Sequence, residues 1–280
     1  MIFTARDKTL DCSARPLIMG ILNVTPDSFS ENGANYQPDV AVANARRMIE
    51  QGADLIDIGG ESSRPGADTV AAAEEQARVI PVICELRKST DVLISIDTYK
   101  ASTAAAAIAA GADIINDISG FHRDPAMKQV AAETGAGCIA MHMRGNSQTM
   151  QGLTDYADII EEVASYFQET IAMLTTAGVT NSAIMLDPGI GFAKTVAQNL
   201  LLLRELRQFQ RLNHPLLIGT SRKSFIGRTL QLDDPTDRIW GTAATMAWSV
   251  ACGAQVLRVH DIAEMRQVCD MTAAITGAQP

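Results

Sequence analysis

Three side chains that could hold a flat nitrogen heterocycle each come directly after a short apolar run. They are Asp97, Asn116 and Asp187. A carboxylate accepts paired N–H donors in bidentate fashion, and an aminopyrimidinone edge offers such donors. Taken singly, Asp97 and Asp187 have a structural alternative, as caps of a helix near Lys100 and of the turn at Pro188-Gly189. Taken together, the three residues predict a ring-binding site.

A second group of side chains is cationic. It consists of Arg222 and Lys223 after one apolar run, Arg258 and His260 at another, and Arg64 after a third. The chain carries a formal net charge of −9, so cations concentrated near strand ends indicate an anionic ligand, with phosphate or pyrophosphate as the natural candidate. For Arg64 and Arg222 the alternative is a solvated or ion-paired side chain. Arg258 and His260 alternate along one strand and should face the same side.

Asn23 ends the first apolar run and offers one amide oxygen. Mg²⁺ usually keeps several waters and relies on substrate phosphates, so one protein ligand is enough where pyrophosphate is bound. We therefore expect Mg²⁺ at Asn23. The alternative is an Asx turn into Pro26.

The elements that must position these groups are eight apolar runs, each ending at polar residues. The runs span residues 17–22, 55–58, 92–96, 114–115, 138–141, 184–186, 216–218 and 256–257. Helical composition characterises the intervening segments 39–51, 70–89, 101–110, 125–134, 156–177, 198–209, 235–251 and 262–276. Parallel strands buried on both faces give such runs, and the carboxyl ends of a barrel's strands line one mouth. Strict alternation allows an open doubly wound sheet or a closed barrel, and the count of eight favours an α/β fold of the (β/α)₈ TIM-barrel type.

Length and composition narrow the class of protein. The 280 residues suit one domain over 1–280, and the negative net charge with a pI near 4.9 argues against nucleic acid or an anionic membrane as partner. Gly253 and Gln255 divide the most apolar region, 242–259, so a membrane span is not expected. The five scattered cysteines and the charged start of the chain predict a cytoplasmic protein without disulfides or a zinc site. Segments 25–37, 60–69 and 143–154 follow strand ends and are candidate functional loops.

A resemblance to a known family lies in the same residues. The matching segments are 19–30, 57–66, 115–118, 141–143, 187–192, 221–227 and 258–261. In order and composition they closely resemble bacterial dihydropteroate synthases, over essentially the whole chain. The resemblance implies a (β/α)₈ barrel that joins 4-aminobenzoate to 6-hydroxymethyl-7,8-dihydropterin diphosphate and releases pyrophosphate in folate synthesis.

The resemblance also implies a role for individual residues. Pterin contacts fall on Asp97, Asn116, Asp187 and Lys223. Diphosphate contacts fall on Ser63, Arg258 and His260, with Mg²⁺ at Asn23. The aminobenzoate pocket falls on Ser221, Phe192, Pro65, Arg64 and Lys223, with Phe29 and Pro26 on the first loop. The catalytic set is Asp97, Lys223, Arg258 and His260, and the family is typically homodimeric, for which the apolar helix around 240–251 is a candidate interface.

Three departures from the family pattern lie near the substrate loops. Ser63 stands where Thr is usual, Ala193 replaces a common Gly, and Glu31-Asn32-Gly33 replaces Asp-Gly-Gly. None removes a charge from the pterin or diphosphate set. Aminobenzoate affinity and sulfonamide sensitivity are the properties that they would change.

The charges predict an S_N1-like reaction in which the diphosphate leaves before the arylamine attacks. Preorganised carboxylates would stabilise the cationic ring, and the cations would stabilise the leaving group. Two rivals remain at this stage: a pterin-binding methyltransferase that serves a corrinoid partner, and a pterin-binding relative that has lost turnover. The Ser-Arg-Lys-Ser segment at 221–224 and the absence of an attached cobalamin module favour the synthase over the first.

Overall fold

A closed barrel of eight parallel strands forms the centre of the molecule. The computed structural model describes residues 1–25, 38–64 and 66–277. An antiparallel hairpin of β1 (Ile2–Ala5) and β2 (Lys8–Asp11) comes first. The barrel strands are β3 (Leu17–Asn23), β4 (Leu55–Gly59), β5 (Leu93–Asp97), β6 (Ile114–Asp117), β7 (Gly137–Met141), β8 (Ile184–Asp187), β9 (Leu217–Ile218) and β10 (Val256–Val259).

Sheet order and closure confirm the predicted (β/α)₈ architecture. The strands lie in the order β8-β7-β6-β5-β4-β3-β10-β9, with all neighbours parallel. A parallel bridge between Leu186 and Leu216, with the Leu186 amide 2.9 Å from the Pro215 carbonyl oxygen, joins the two ends of the sheet. The open doubly wound sheet, which was the alternative, is therefore wrong.

Alternation along the strands divides the barrel into a helix-facing surface and a lumen. Outward side chains such as Ile56, Ile94 and Ile115 pack with the helices. Inward side chains near the amino-terminal ends of the strands form a separate apolar cluster that includes Leu55 and Leu93. Because side chains alternate, the inward positions further along carry polar groups. Those inward positions are Asn23, Asp57, Ser95, Asp97, Asn116, Asp187 and Arg258.

The hairpin closes the amino-terminal end of the barrel. Phe3 and Ala5 are fully or almost fully buried in the lumen cluster. A Cβ on Gly137 would lie 2.7 Å from the Phe3 ring, so the glycine is required by this close approach. The hairpin was not predictable from the sequence, because two four-residue strands next to a charged turn give little periodic signal.

Helices cover the outside of the barrel. They are α1 (Pro38–Glu50), α2 (Ala72–Arg87), α3 (Ala101–Ala109), α4 (Met127–Thr134), α5 (Ile159–Thr176), α6 (Val196–Arg204), α7 (Ser224–Leu230), α8 (Ile239–Ala251) and α9 (Ile262–Thr276). The predicted glycine stops after helices are confirmed, since Gly52, Gly111, Gly135, Gly178 and Gly253 all have positive φ.

Two of the predicted helices are interrupted, and one helix was missed. The segment predicted over 198–209 is α6 followed by a 3₁₀ turn, Leu206–Leu212, and α6 begins earlier because Thr195 and Gln198 form a capping box. The segment predicted over 235–251 begins with a 3₁₀ turn capped by Asp234. Helix α7 was not predicted because it is only seven residues long.

Among the described residues, no helix combines the length and the apolar character that crossing a membrane requires. The single-domain organisation over residues 1–280 stays a prediction.

Candidate active site

Arg258 lies at the centre of the carboxyl-terminal mouth of the barrel. Its Nε is 2.6 Å from Asp57 Oδ2, and a terminal guanidinium nitrogen is 2.8 Å from Asp97 Oδ2. The Asn116 amide donates to the same Asp57 oxygen at 3.1 Å. These contacts join side chains from β4, β5, β6 and β10. Two of the predicted pterin residues and one predicted diphosphate residue thus lie in one bonded cluster.

Asp57 anchors this cluster. Its side chain is completely buried. Within the described part of the chain, Asp57 Oδ1 and Ser95 Oγ are buried without a hydrogen-bond partner. The two residues are register partners on neighbouring strands, so this layer of the lumen retains unused hydrogen-bonding capacity.

Asp97 occupies an environment that disfavours its charge. Burial raises the pKa of Asp97 to about 7, and the neighbouring Asp57 carboxylate adds to the rise, whereas Arg258 opposes it. The structural alternative for this residue is wrong. Helix α3 begins without a side-chain cap, and the Ala101 amide is bound by Asp124 at 2.9 Å.

Asp187 ends β8 and Lys223 follows β9, on the side of the barrel away from β4 and β5. Asp187 Oδ1 accepts a hydrogen bond from the Gly189 amide at 2.7 Å, so Asp187 does cap the turn at Pro188-Gly189. It also occupies an inward position of β8, as the predicted ring-binding role requires. Burial raises the pKa of Asp187, and the opposing effect of the Lys223 and Arg258 charges only partly offsets this rise. Burial lowers the pKa of Lys223 to about 8, against the attraction of Asp187. Lys223 donates to the Ile190 carbonyl, and its Nζ is 4.5 Å from the centre of the Phe192 ring.

Ser221 and His260 form a pair beside Arg258. Ser221 Oγ is 2.9 Å from His260 Nδ1 and accepts from the His260 amide at 3.2 Å. Burial, together with Arg258 and Arg222, lowers the pKa of His260 to about 4. The imidazole is therefore neutral at neutral pH and acts through hydrogen bonding rather than through charge.

The remaining predicted residues lie around this centre or outside the described residues. Arg222 is paired with Asp261, Nε to Oδ2 at 3.0 Å, so the ion-paired alternative holds for it. Arg64 is exposed, and its charge contributes to the lowered pKa of His260. Ser63 is partly buried, and Asn23 ends β3 as the register partner of Gly59. Pro26, Phe29 and Pro65 lie outside the described residues.

Lys194 is a charged group of this region that the sequence analysis missed. It is 5% exposed, and its Nζ is 3.0 Å from His142 Nδ1. It also donates to the carbonyls of Gly189, at 3.0 Å, and Phe192, at 2.9 Å, and so holds the segment that carries Asp187 and Phe192. The signal in the sequence that could have identified this residue is a single lysine among glycine and apolar residues. His142 has the outward parity of β7 and stacks edge-on against Tyr166.

Ala193, one of the departures from the family pattern, has a backbone conformation that favours glycine. Its φ is 50°, in the left-handed region that favours glycine, which the family commonly has at this position. Its carbonyl accepts from the Tyr156 hydroxyl at 3.0 Å. The residue is completely buried.

The barrel and the charged mouth define the class: a (β/α)₈ enzyme with its site at the carboxyl ends of the strands. The sequence profile described as pterin binding enzyme matches residues 19–260. A protein of Synechocystis named dihydropteroate synthase is 50% identical over 265 residues, covering 95% of this chain and 92% of that protein. The chain therefore belongs to the pterin-binding enzyme family, among its dihydropteroate synthases.

Solved structures agree with this assignment. The Yersinia pestis dihydropteroate synthase, solved in complex with a sulfonamide drug, is 42% identical to this chain with a TM-score of 0.93. The comparison covers 99% of this chain and 100% of the other. The Xanthomonas albilineans enzyme has been solved with 4-aminobenzoic acid, and that structure is 39% identical to this chain with a TM-score of 0.91. It has also been solved with 7,8-dihydropteroate, and that structure is 36% identical with a TM-score of 0.88. Both comparisons cover 99% of this chain and 100% of the other.

The raised pKa of Asp97 predicts a pH-dependent contribution to stability. Its native pKa of about 7 lies above the ordinary value of 3.8, so the native state binds more protons than the unfolded state between these values. This contribution is therefore present below about pH 4 and is lost as the pH rises through about 7. Asp97→Asn should remove it and flatten the dependence of the unfolding free energy on pH, measured with urea from about pH 5 to about pH 8.

The matched control is Asp237→Asn, at an exposed position of the 3₁₀ turn before α8. It should leave the wild-type profile unchanged. Parallel profiles for wild type and Asp97→Asn would show that Asp97 does not titrate in this range.

Proposed function

We propose that this chain condenses 6-hydroxymethyl-7,8-dihydropterin diphosphate with 4-aminobenzoate to form 7,8-dihydropteroate and pyrophosphate in folate synthesis. The observation that carries the proposal is the single mouth that contains Asp97, Asn116 and Asp187 together with Lys223 and Arg258. One set matches a nitrogen heterocycle and the other an anionic leaving group. The relatives solved with 4-aminobenzoic acid and with 7,8-dihydropteroate support one substrate and the product of this reaction.

The acidic side of the mouth is assigned to the pterin ring. Asp97 and Asp187 accept ring and amino N–H groups, and Asn116 contributes an amide beside them. Lys223, which packs against Phe192, completes the ring site on the side of Asp187. Ser221, Phe192, Arg64 and Pro65 are assigned to 4-aminobenzoate, together with Phe29.

The basic side is assigned to the diphosphate. Two nitrogens of Arg258 serve Asp57 and Asp97, and the remaining N–H groups of the guanidinium can donate to diphosphate oxygens. His260, neutral and held by Ser221, adds a hydrogen bond, and Ser63, in the segment after β4, is assigned to the diphosphate as well. The leaving group therefore departs into preorganised donors.

The reaction follows from this division of charge. The bond between the exocyclic methylene carbon and the diphosphate oxygen breaks first, and the electron pair leaves with the diphosphate. The electron-rich dihydropterin carries the positive charge next to Asp97 and Asp187. The arylamine nitrogen then bonds to the methylene carbon and loses a proton. No covalent intermediate with an enzyme nucleophile is required.

Mg²⁺ is proposed as the cofactor, with Asn23 as its protein ligand. Within the described residues there is no group of three His, Cys, Asp or Glu side chains that could hold a metal ion. The donor set at Asn23 is a single amide oxygen, which fits a hydrated Mg²⁺ held mainly by substrate phosphates. When bound, the ion would neutralise charge on the leaving diphosphate.

Two rival functions are distinguishable. A methyltransferase acting on a corrinoid partner is not favoured, because the relatives at up to 50% identity are named dihydropteroate synthases. A pterin-binding relative without turnover would bind the pterin diphosphate but release no pyrophosphate.

Pyrophosphate release is the direct test of the function. We expect release from the pterin diphosphate to increase strongly when 4-aminobenzoate is added, and to fall when EDTA removes Mg²⁺. Asn23→Ala should raise the Mg²⁺ concentration needed for half-maximal rate by about tenfold without loss of folding. Absence of release with both substrates and Mg²⁺ would contradict the synthase, and an unchanged Mg²⁺ requirement in Asn23→Ala would remove Asn23 from the metal site.

Lys223→Ala should weaken pterin binding. The lysine is partly buried and its charge interacts with that of Asp187, and loss of a charged hydrogen-bond partner typically costs about 1.5–3 kcal/mol, which corresponds to at least about tenfold in Kd. Calorimetry with the pterin diphosphate measures this effect. Lys88→Ala, at a side chain that is 71% exposed, is the control and should bind as wild type does. Equal affinity in both variants would exclude Lys223 from the pterin site.

A homodimer through α8 and α9 is proposed as the assembly. Trp240 is 81% exposed and Ile275 is 73% exposed, which is unusual for large apolar side chains on packed helices. Trp248, 49% exposed, lies on α8 as well. Sedimentation velocity should give a dimer for the wild type and a larger monomer fraction for Trp240→Glu. A monomeric wild type would contradict this assembly.

A cytoplasmic location is also proposed, supported by the five free cysteines.

A further inference from the structure

A buried ion cluster outside the catalytic set lies beneath the segment that follows β4. Lys100 Nζ is 2.5 Å from Glu61 Oε2 and 2.9 Å from Glu75 Oε2. The side chains of Lys100, Glu61 and Glu75 are 16%, 9% and 1% exposed. None of these residues has a role in the reaction derived above. A charged group this deeply buried is retained only where it is paired.

Glu61 ties the two ends of the segment together. Its Oε2 also accepts from the Val70 amide at 3.0 Å, and its Oε1 accepts from the Tyr99 hydroxyl at 2.6 Å. Burial alone would raise the pKa of Glu61, but the hydrogen bonds from Lys100 and Tyr99 outweigh it and hold the pKa below its ordinary value. Glu61 is therefore an ionised acceptor that links residue 61 to residue 70.

The cluster connects groups assigned to both substrates. Tyr99 and Lys100 follow Asp97 by two and three residues, and Ser63 and Arg64 follow Glu61 by two and three residues. A bond between Glu61 and the pair Tyr99 and Lys100 therefore fixes the segment after β4 relative to the segment after β5. Displacement of the first segment would move Ser63 and Arg64 and would leave Asp97 held by Arg258.

We propose that Glu61 is a positioning residue for the second substrate: held by Lys100 and Tyr99, it sets where Ser63 and Arg64 lie relative to Asp97. This inference rests on the proposed function, because it assigns the segment after β4 to 4-aminobenzoate and the leaving group. Loss of Glu61 should affect capture of 4-aminobenzoate much more than binding of the pterin diphosphate, because Arg258, held by Asp57, and His260, held by Ser221, remain in place for the diphosphate when Ser63 is displaced.

Glu75 provides a matched comparison within the same cluster. It neutralises the same lysine from α2 and accepts from the Thr103 hydroxyl at 2.9 Å, and none of its hydrogen bonds goes to residues 61–70 among those described. Removal of either glutamate leaves Lys100 with one carboxylate. An effect of charge balance alone would be the same in both variants, whereas a positioning effect belongs to Glu61.

Steady-state kinetics and calorimetry on the full chain test the proposal. Glu61→Ala should raise the KM for 4-aminobenzoate by about tenfold, with kcat and the Kd for the pterin diphosphate within about threefold of wild type. Glu75→Ala should leave that KM within about twofold, and Glu75→Gln replaces it if the alanine variant does not fold. Glu61→Gln, which retains the acceptor oxygen, should give an intermediate KM. Equal changes in KM for the Glu61 and Glu75 variants, or a parallel rise in the pterin Kd, would overturn the proposal.

Hydrogen exchange without substrates gives a readout that does not depend on turnover. Peptides covering residues 61–71 should exchange faster in Glu61→Ala than in wild type or Glu75→Ala. Unchanged exchange in Glu61→Ala would overturn the inference. A wild type that releases no pyrophosphate would instead overturn the proposed function, and the positioning role would then stand on faster exchange together with weaker calorimetric binding of 4-aminobenzoate.

Discussion

The fork of Arg258 between Asp57 and Asp97 is the interaction on which the site depends. Asp57 is fully buried, a charge buried this deeply is costly unless it is paired, and the guanidinium from β10 is its partner. Breaking such a pair by removing one partner typically costs about 3–5 kcal/mol, because a buried charge is left uncompensated. The positions of β4, β5 and β10 at the mouth are therefore linked by charge as well as by backbone hydrogen bonds.

This fork is possible because the lumen is divided into two layers. Near the amino-terminal ends of the strands the inward side chains are apolar and are covered by Phe3 of the hairpin. That end excludes water and supplies the close packing that fixes strand register. Further along, the same alternation places carboxylates and amides in the lumen, where the low dielectric strengthens their interactions and shifts the pKa values of Asp97 and Lys223 towards neutrality. Stability and reactivity thus occupy different ends of one barrel.

Much of this organisation was predictable from the sequence, and the reasons are physical. Continuous apolar runs with polar ends identified the strands and the mouth, because parallel strands buried on both faces allow little else. Alternation correctly placed Arg258 and its neighbours on one side. The hairpin escaped prediction because its strands are short, and Lys194 escaped because its partners are mostly backbone carbonyls that leave no trace in residue types. Which carboxylate would bind Arg258 could not be predicted either, since strand register decides it.

The free state of the mouth explains how buried charges of opposite sign can receive the two ends of one substrate, the pterin ring and the diphosphate. Asp97 and Arg258, assigned to the ring and to the diphosphate, neutralise each other before that substrate arrives. Both groups are therefore already removed from bulk water when the substrate binds, and the substrate exchanges one ion pair for others instead of desolvating isolated charges. Asp57 keeps Arg258 in place through its own bond to Nε while the bond to Asp97 is exchanged. The permanent pair holds the cation, and the exchangeable pair leaves Asp97 available to the ring.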